Sequence, residues 1–247
     1  MRRSAYGVAC VALLAPLTAL AMTHQQGREL GKETSPGIQK VLVTLRKEAK
    51  QGHAKAEYYM GAFYYVGHGV PQNYAKAVYW YQRAADQGYA DAENNLGTAY
   101  DSGHGVPQNY AKSVYWYQKA ADQGVASAEF GLGFSYYSGD GVPQDYAKGV
   151  HWFQKAADQG YATAEGRLGI AYYFGLGVPQ DYAEGVYWFQ KAADQGYAVA
   201  EYGLGIAYYY GRGVPQNSMT ALHWLKKAAA QGVQEAEHMI QVIEHGK

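Results

Sequence analysis

Cysteine is almost absent from this chain, and neither sign of charge is in excess. The single cysteine, Cys10, lies in an apolar segment at the N-terminus. A chain with no second cysteine has no internal disulfide to form, so its stability must come from packing. Lys and Arg together number 21, as do Asp and Glu. This balance gives no electrostatic reason to expect nucleic acid or an anionic membrane surface as a partner.

Tyrosine, by contrast, is abundant. The chain has 247 residues, of which 48% are apolar and 26 are tyrosines. A chain of this length can bury a sizeable core, and this apolar content excludes disorder of the whole. Any account of the fold must therefore explain where the tyrosines lie.

The first residues have the features of a secretory signal. Residues 2–3 are both Arg, residues 5–20 are apolar but make a poor membrane span, and residues 19–21 read Ala-Leu-Ala. We predict a signal peptide over 1–21 that is cleaved by a signal peptidase, with no stable membrane insertion afterwards. Residues 22–35 are predicted to be a flexible lead-in. The expected location is the periplasm or the exterior, and an uncleaved anchor is the alternative.

A unit of 36 residues accounts for almost everything that follows. The Ala-Glu pair recurs with this step at Ala56, Ala92, Ala128, Ala164, Ala200 and Ala236. All the tryptophans keep the same step, at Trp80, Trp116, Trp152, Trp188 and Trp224. We therefore predict five full repeats starting at 56, 92, 128, 164 and 200, with half-repeat caps over 36–55 and 236–247.

Each unit reads as two helices joined by a loop. The first helix is predicted from about Ala56 to Gly67, and Pro71 prevents its continuation. The second is predicted from a cap at Asn73 to Gly88. The equivalent cap positions hold Asn109, Asp145, Asp181 and Asn217. Because one helix pair cannot bury its apolar face alone, the predicted fold is all-α, a right-handed-type α/α superhelical solenoid over 36–247.

This motif resembles the Sel-one-like repeat family of tetratricopeptide-like helical solenoids. In the second repeat it is carried by Ala92, Glu93, Leu96, Gly97, Tyr100, Gly103, Gly105, Val106, Pro107, Tyr110, Trp116, Ala120, Ala121 and Gly124. The resemblance implies a scaffold or adaptor for protein–protein contact that is often exported in bacteria. Some exported relatives carry a cysteine pair in each repeat, and properties tied to that subgroup do not transfer to this chain.

The repeats can be compared with one another. Counted from the Ala of Ala-Glu as zero, positions 0, 1, 4, 5 and 8 of the first helix hardly change, whereas positions 2, 3, 6, 9 and 10 vary. The constant set covers an arc of about 140° at roughly 100° per residue. We interpret it as the packing seam. The resemblance to tetratricopeptide-like solenoids places the varied side on a concave surface that binds partners.

The varied side supplies the candidate site. In the second repeat this side is polar and rich in amides, and in the third to fifth repeats it is aromatic with one cation. Tyrosine is a residue enriched at interfaces. The predicted partner-binding residues are Tyr58, Tyr59, Asn94, Asn95, Asp101, Phe130, Phe134, Tyr137, Arg167, Phe174, Tyr202 and Tyr210. The alternative is that tandem duplication left drift and inter-repeat packing at these positions.

Most residues that could bind a metal ion or act in catalysis are better interpreted as structural residues. His68 and His104 share a loop position in adjacent repeats, too far apart for one metal ion, and we interpret them as surface loop residues. The Glu that recurs beside Ala in every unit is interpreted as a first-turn residue favoured by the helix dipole and bonded to backbone. The tryptophans are interpreted as inter-repeat packing. We predict no catalytic residue, no metal and no cofactor.

The resulting hypothesis is an exported, periplasmic adaptor that binds a protein or an extended peptide through a Tyr/Phe-rich concave surface. Its role would be to regulate or neutralise an envelope protein or effector. One alternative is a module that binds a glycan or a peptidoglycan fragment on stacked tyrosine faces. Another is a hydrolase, because some exported relatives are linked to antibiotic-related hydrolysis, although no residue can be nominated for it.

Overall fold

The computed structural model describes residues 36–245, which form twelve α-helices and no strand. The described residues divide into two compact units. We call them the N-terminal unit, residues 36–144, and the C-terminal unit, residues 145–245. The predicted signal peptide, the lead-in over 22–35 and the last two residues lie outside the described residues.

The helices follow the repeat. In chain order they are α1 (Pro36–Lys50), α2 (Ala54–Val66), α3 (Tyr74–Ala85), α4 (Ala90–Ser102), α5 (Tyr110–Asp122), α6 (Ala126–Ser138), α7 (Tyr146–Asp158), α8 (Ala162–Phe174), α9 (Tyr182–Asp194), α10 (Ala198–Tyr210), α11 (Ser218–Ala230) and α12 (Gln234–His245). Even numbers from α2 are first helices, and odd numbers from α3 are second helices. Within each unit, consecutive helices pack on one another. This arrangement confirms the predicted all-α solenoid of helix-turn-helix repeats.

The predicted starts of the second helices are confirmed, because a side chain caps each of them. Asn109 caps α5 because its side-chain oxygen accepts a hydrogen bond from the backbone N–H of Lys112, at 3.0 Å. The other predicted cap residues act in the same way on α3, α7, α9 and α11. At the other boundary, Gly103 ends α4 with a φ of 73°, in the left-handed region that favours glycine.

Three predicted boundaries are shifted. The first helices begin two residues before the Ala-Glu pair, for example at Ala54, and α12 begins at Gln234. Their N-cap residues, such as Tyr89, make no side-chain cap hydrogen bond, so the sequence has no cap signal there. The second helix α3 ends at Ala85, ahead of Gly88, which turns the chain with a φ of 78°.

The core is built from rings packed onto glycines. A Cβ on Gly97 of α4 would lie 2.5 Å from Cδ1 of Tyr117 on α5, and one on Gly131 of α6 would lie 2.8 Å from Cζ of the same ring. Tyr117 thus fills the space between its own repeat and the next. Phe189 is packed in the same way between Gly169 and Gly203 in the C-terminal unit. The contacts at Gly97 and Gly169 explain why glycine recurs at position 5, on the constant side of the first helices.

Candidate partner-binding face

The recurring Glu has a structural role that differs from the predicted one. Glu93 of α4 is wholly buried, and its carboxylate lies 2.9 Å from Nζ of Lys119 on α5. Its second oxygen accepts a hydrogen bond from Nε2 of Gln123, at 2.7 Å. Glu93 lies in the first turn of α4 as predicted, but a cation and an amide from the second helix satisfy its carboxylate in place of the predicted bond to backbone.

The same arrangement recurs in both units. Glu57 pairs with Arg83 in the N-terminal unit. In the C-terminal unit, the corresponding ion pairs are Glu165 with Lys191 and Glu201 with Lys227. The first and second helices of each of these repeats are therefore joined by a buried charge.

The tryptophans complete this structural frame. Trp116 is 8% exposed and packs with Ala77 and Tyr81 of the preceding second helix, which confirms its predicted inter-repeat role. Nζ of Lys119 lies 4.9 Å from the centre of the Trp116 ring. The cation is thus shared between the ring and Glu93. The most regular residues of the repeat are accounted for by this packing, so functional residues must be sought among the side chains that vary.

We define the variable face as the side chains at positions 2, 3, 6, 9 and 10 of the first helices. It is accessible at the start of the N-terminal unit. Tyr59 is 40% exposed, and Tyr58, Asn94, Asn95 and Asp101 are half-buried. These five residues of the predicted site therefore present polar atoms and ring surface to solvent.

Tyr58 is the centre of an aromatic cluster. Its ring centroid lies 5.0 Å from that of Tyr89 and 5.3 Å from that of Tyr59. Burial and then the charge of Asp91 raise the pKa of Tyr58, while a hydrogen bond with Asn95 opposes this. Burial is the main cause that raises the pKa of Tyr81, and the Asn95 side chain opposes this rise as well. An amide and several phenols therefore converge across the first two repeats.

Asp101 lies further along α4, within electrostatic reach of a second carboxylate. Burial and then the negative charge of Asp140 raise its pKa. Asp140 follows the glycine at the end of α6, and its Oδ2 accepts a hydrogen bond from the hydroxyl of Ser138, at 2.5 Å. Asp140 occupies the loop position of His68 and His104, which were interpreted as surface loop residues, so it was not among the predicted site residues.

Four predicted site residues are buried instead of presented. Phe130, Tyr137, Arg167 and Tyr202 are each no more than 6% exposed. The expectation that varied residues escape packing was wrong at these positions. Contact between them and a partner stays a prediction.

Glycine at an adjacent position explains part of this burial. A Cβ on Gly166 would lie 2.5 Å from Cε1 of Tyr197, so that ring occupies the space beside Arg167. Gly203, next to Tyr202, receives Phe189 in the same way. A Gly at position 2 or 3 in the sequence therefore indicates that a ring packs closely there. The first two repeats have no Gly at these positions.

The other predicted residues differ in exposure. Phe134 and Phe174 are half-buried, and Phe134 lies 6.5 Å from Phe130 between ring centroids. Tyr210 is 52% exposed, and the guanidinium of Arg212 lies 5.1 Å from its ring centre. Tyr210 is therefore the accessible residue of the predicted site in the last full repeat.

The histidine loops pack against aromatic rings. His104 stacks on Tyr74 with ring centroids 4.8 Å apart, and His68 lies 6.1 Å from Phe63. Among residues 36–245, no three His, Cys, Asp or Glu side chains are grouped so that they could hold a metal ion. The helices of that range include none with the length and apolar character of a membrane span.

The 36-residue period can now be compared with known families. Five consecutive segments match the Sel1 repeat family, at 54–89, 90–125, 126–161, 162–197 and 198–233. This chain is a Sel1 repeat protein. Sel1 repeats generally mediate protein interactions, and Sel1 repeat proteins are generally non-enzymatic scaffolds.

Solved structures with the same fold support this assignment. The Sel1 repeat protein of Oxalobacter formigenes is 33% identical, with a TM-score of 0.75 over 86% of each chain. The uropathogenic Escherichia coli protein c5321, a protective antigen displaying an SLR fold, is 39% identical with a TM-score of 0.76 over 81% of the present chain. The present chain spans 43% of the length of c5321. No curated protein matches the sequence.

Proposed function

We propose that this Sel1 repeat protein is an exported adaptor that binds a partner protein through the variable face of its N-terminal unit. The observation that carries the proposal is the accessibility of Tyr58, Tyr59, Asn94 and Asn95 on two neighbouring first helices whose constant positions are used in packing. These residues are not required by the repeat. Their identity is therefore available for recognition.

The chemistry of this face suits a polypeptide. Tyrosine offers a large contact area at a low rotamer cost and keeps a hydroxyl for hydrogen bonding. Asn94 and Asn95 each supply a donor and an acceptor, which is what an unpaired peptide backbone requires. An extended segment of a partner can therefore satisfy its backbone while its side chains contact the rings. Binding of this kind would regulate or neutralise an envelope protein or effector.

Partner capture tests the binding step. The full chain with a C-terminal tag is recovered from the envelope fraction of its own host, and co-purifying proteins are quantified. We expect one stoichiometric partner, with recovery reduced about tenfold in the Tyr59→Ala, Asn94→Ala double variant, as for loss of an interface anchor. Tyr79→Ala is the matched control, because Tyr79 is 54% exposed on a second helix. Equal recovery from all variants that keep the wild-type helical content would contradict the proposal.

Export is supported by the basic residues 2–3, the apolar residues 5–20 and the small-x-small pattern at 19–21. Mass spectrometry of the chain from fractionated cells tests it. We expect the protein in the periplasm or medium, with a mature N-terminus at residue 22. An intact residue 1 on a cytoplasmic protein would overturn this part of the proposal.

A further inference from the structure

One contact between neighbouring repeats recurs with different chemistry. It joins position 9 of a first helix to the loop residue that follows the terminal glycine of the next first helix. In the N-terminal unit, Tyr65 meets His104 in this way, with ring centroids 6.4 Å apart. In the C-terminal unit, the positive charge of Arg212 acts on the phenol of Tyr173 and opposes the rise in its pKa that burial causes. The two residues of each pair attract one another, since one pair joins two rings and the other joins a phenol and a cation.

The pair formed by Asp101 and Asp140 does not follow this pattern. Two carboxylates occupy the positions where the other two pairs place Tyr with His or Arg. Burial and then the charge of Asp140 raise the pKa of Asp101, so the ionised form of Asp101 is disfavoured in this position. A cation placed between them would remove this cost and would form charge-assisted hydrogen bonds.

The surrounding charge has the same sign. The three first helices of the N-terminal unit contain one basic residue, Lys55. The carboxylates of Glu57 and Glu93 are neutralised by cations of the second helices. Asp101 is therefore the charged residue of the variable face in this unit. The negative charges of Asp140 and Asp91 act on Asp101 and Tyr58, respectively, and Lys55 is the one basic residue of these helices. This imbalance favours a cationic partner and disfavours an acidic one.

The spacing along α4 gives the geometry of such a partner. Asn94 and Asp101 are seven residues apart, which places them on the same side of the helix about 10 Å apart along its axis. An extended chain covers that distance in about three residues. A segment whose backbone contacts Asn94 would thus bring a side chain about three residues away to Asp101.

We propose that the variable face of the N-terminal unit binds an extended protein segment whose Lys or Arg side chain lies between Asp101 and Asp140. The segment's backbone contacts Asn94 and Asn95. This inference rests on the proposed function, since it gives the chemistry of the partner for the same face.

A peptide selection tests it without knowledge of the natural partner. A phage library of random decapeptides is selected on the full chain, and Lys and Arg frequencies are compared with those of the unselected library. We expect enriched peptides with an excess of Lys or Arg at one position. Enrichment without that excess would overturn this inference while leaving the proposed function intact. No enriched peptide at all would count against both.

Variants then locate the charge. The most enriched peptides are synthesised with a fluorescent label and titrated against wild type and the Asp101→Asn, Asp140→Asn double variant. We expect affinity to fall about tenfold, as for loss of a charge-assisted hydrogen bond. Replacement of the peptide's Lys or Arg by Met should cause a similar loss in wild type and almost none in the double variant.

Two further variants control for net charge and folding. Asp122→Asn removes the charge of an exposed carboxylate on α5 and should leave peptide affinity unchanged. Asp101→Tyr restores the residue found at this position in the other repeats, so it should fold with wild-type helical content and bind about tenfold more weakly. If the Asp double variant and Asp101→Tyr both bind as wild type does, the cation does not lie between these carboxylates.

Discussion

The ammonium group of Lys119 lies 2.9 Å from the carboxylate of Glu93, a side chain that is wholly buried between two helices. Lys119 itself is 39% exposed and remains in contact with water. The ion pair therefore compensates a buried charge without burying a second one completely. In such a pair, removing the cation is more costly than neutralising the acid, because it leaves the carboxylate buried with one amide donor.

Lys119→Met should destabilise the protein by about 2 kcal/mol, less than for a fully buried pair because water screens the exposed cation. Glu93→Gln should cost less, since it leaves no buried charge. Urea denaturation followed by circular dichroism measures both free energies of unfolding. The exposed pair Lys226 and Glu244 provides the control, and Lys226→Met should change stability by less than about 1 kcal/mol. A loss from Lys226→Met equal to that from Lys119→Met would contradict this account.

The sequence predicted the frame of this fold because the signals are local and repeated. Asn73 and Asn109 cap helices through their own side chains, and glycine ends α2, α4, α6, α8 and α10 in a left-handed conformation. The start of the first helices was misplaced because residues such as Tyr89 provide no capping group. Local chemistry thus accounts for both the confirmed boundaries and the shifted ones.

The candidate site was only partly predictable, because exposure depends on neighbouring repeats. Variation among repeats identified the side of the helix correctly for Tyr59 and Asn94, but Arg167 and Tyr202 vary and are buried. Variation among repeats shows only that different residues are accepted at a position. A buried position can also accept different residues, provided that the side chains packed against it differ as well. The close approach of Tyr197 to Gly166 is such a compensation, and it joins residues 31 positions apart.

Gly97→Ala should destabilise the protein by about 1–3 kcal/mol, because the new Cβ would lie 2.5 Å from the ring of Tyr117. The intrinsic preference of a helix for Ala over Gly works in the opposite direction by about 1 kcal/mol. Calorimetric melting or urea denaturation gives the net effect. The Tyr117 ring is itself packed and cannot move away from the new Cβ. The cost of the steric overlap should therefore exceed the gain from the helix propensity of Ala.

The same substitution in a Tyr117→Ala background provides the control. Without the ring there is no overlap, and Gly97→Ala should then be neutral or stabilising by up to about 1 kcal/mol. A loss of the same size in both backgrounds would show that contact with Tyr117 is not the cause.

Alkaline pH should weaken the C-terminal unit through Tyr202. Burial, followed by the charges of Glu235 and Tyr210, raises the pKa of Tyr202 to about 12. In an unfolded chain the pKa of tyrosine is about 10. The folded state therefore keeps a proton that the unfolded state loses. This contribution to stability is complete below pH of about 10 and is lost as the pH rises through 12.

Urea midpoints measured from pH 9 to pH 12 test this sign. Tyr202→Phe should make the fall in stability with pH shallower, because one buried phenol no longer titrates. Tyr187→Phe should leave the slope unchanged, since Tyr187 is 53% exposed. Identical slopes for the two variants would rule out burial of Tyr202 as a source of the alkaline effect.

Asn109→Ala should cost about 1 kcal/mol, because the side-chain oxygen that accepts from the N–H of Lys112 is lost at the first turn of α5. Asn109→Asp should retain stability, since Asp145 makes the same bond to Lys148 in the next repeat, at 3.0 Å. Thermal melting distinguishes the two variants. Equal losses from Ala and Asp would mean that the amide group itself, and not an accepting oxygen, is what the helix start requires.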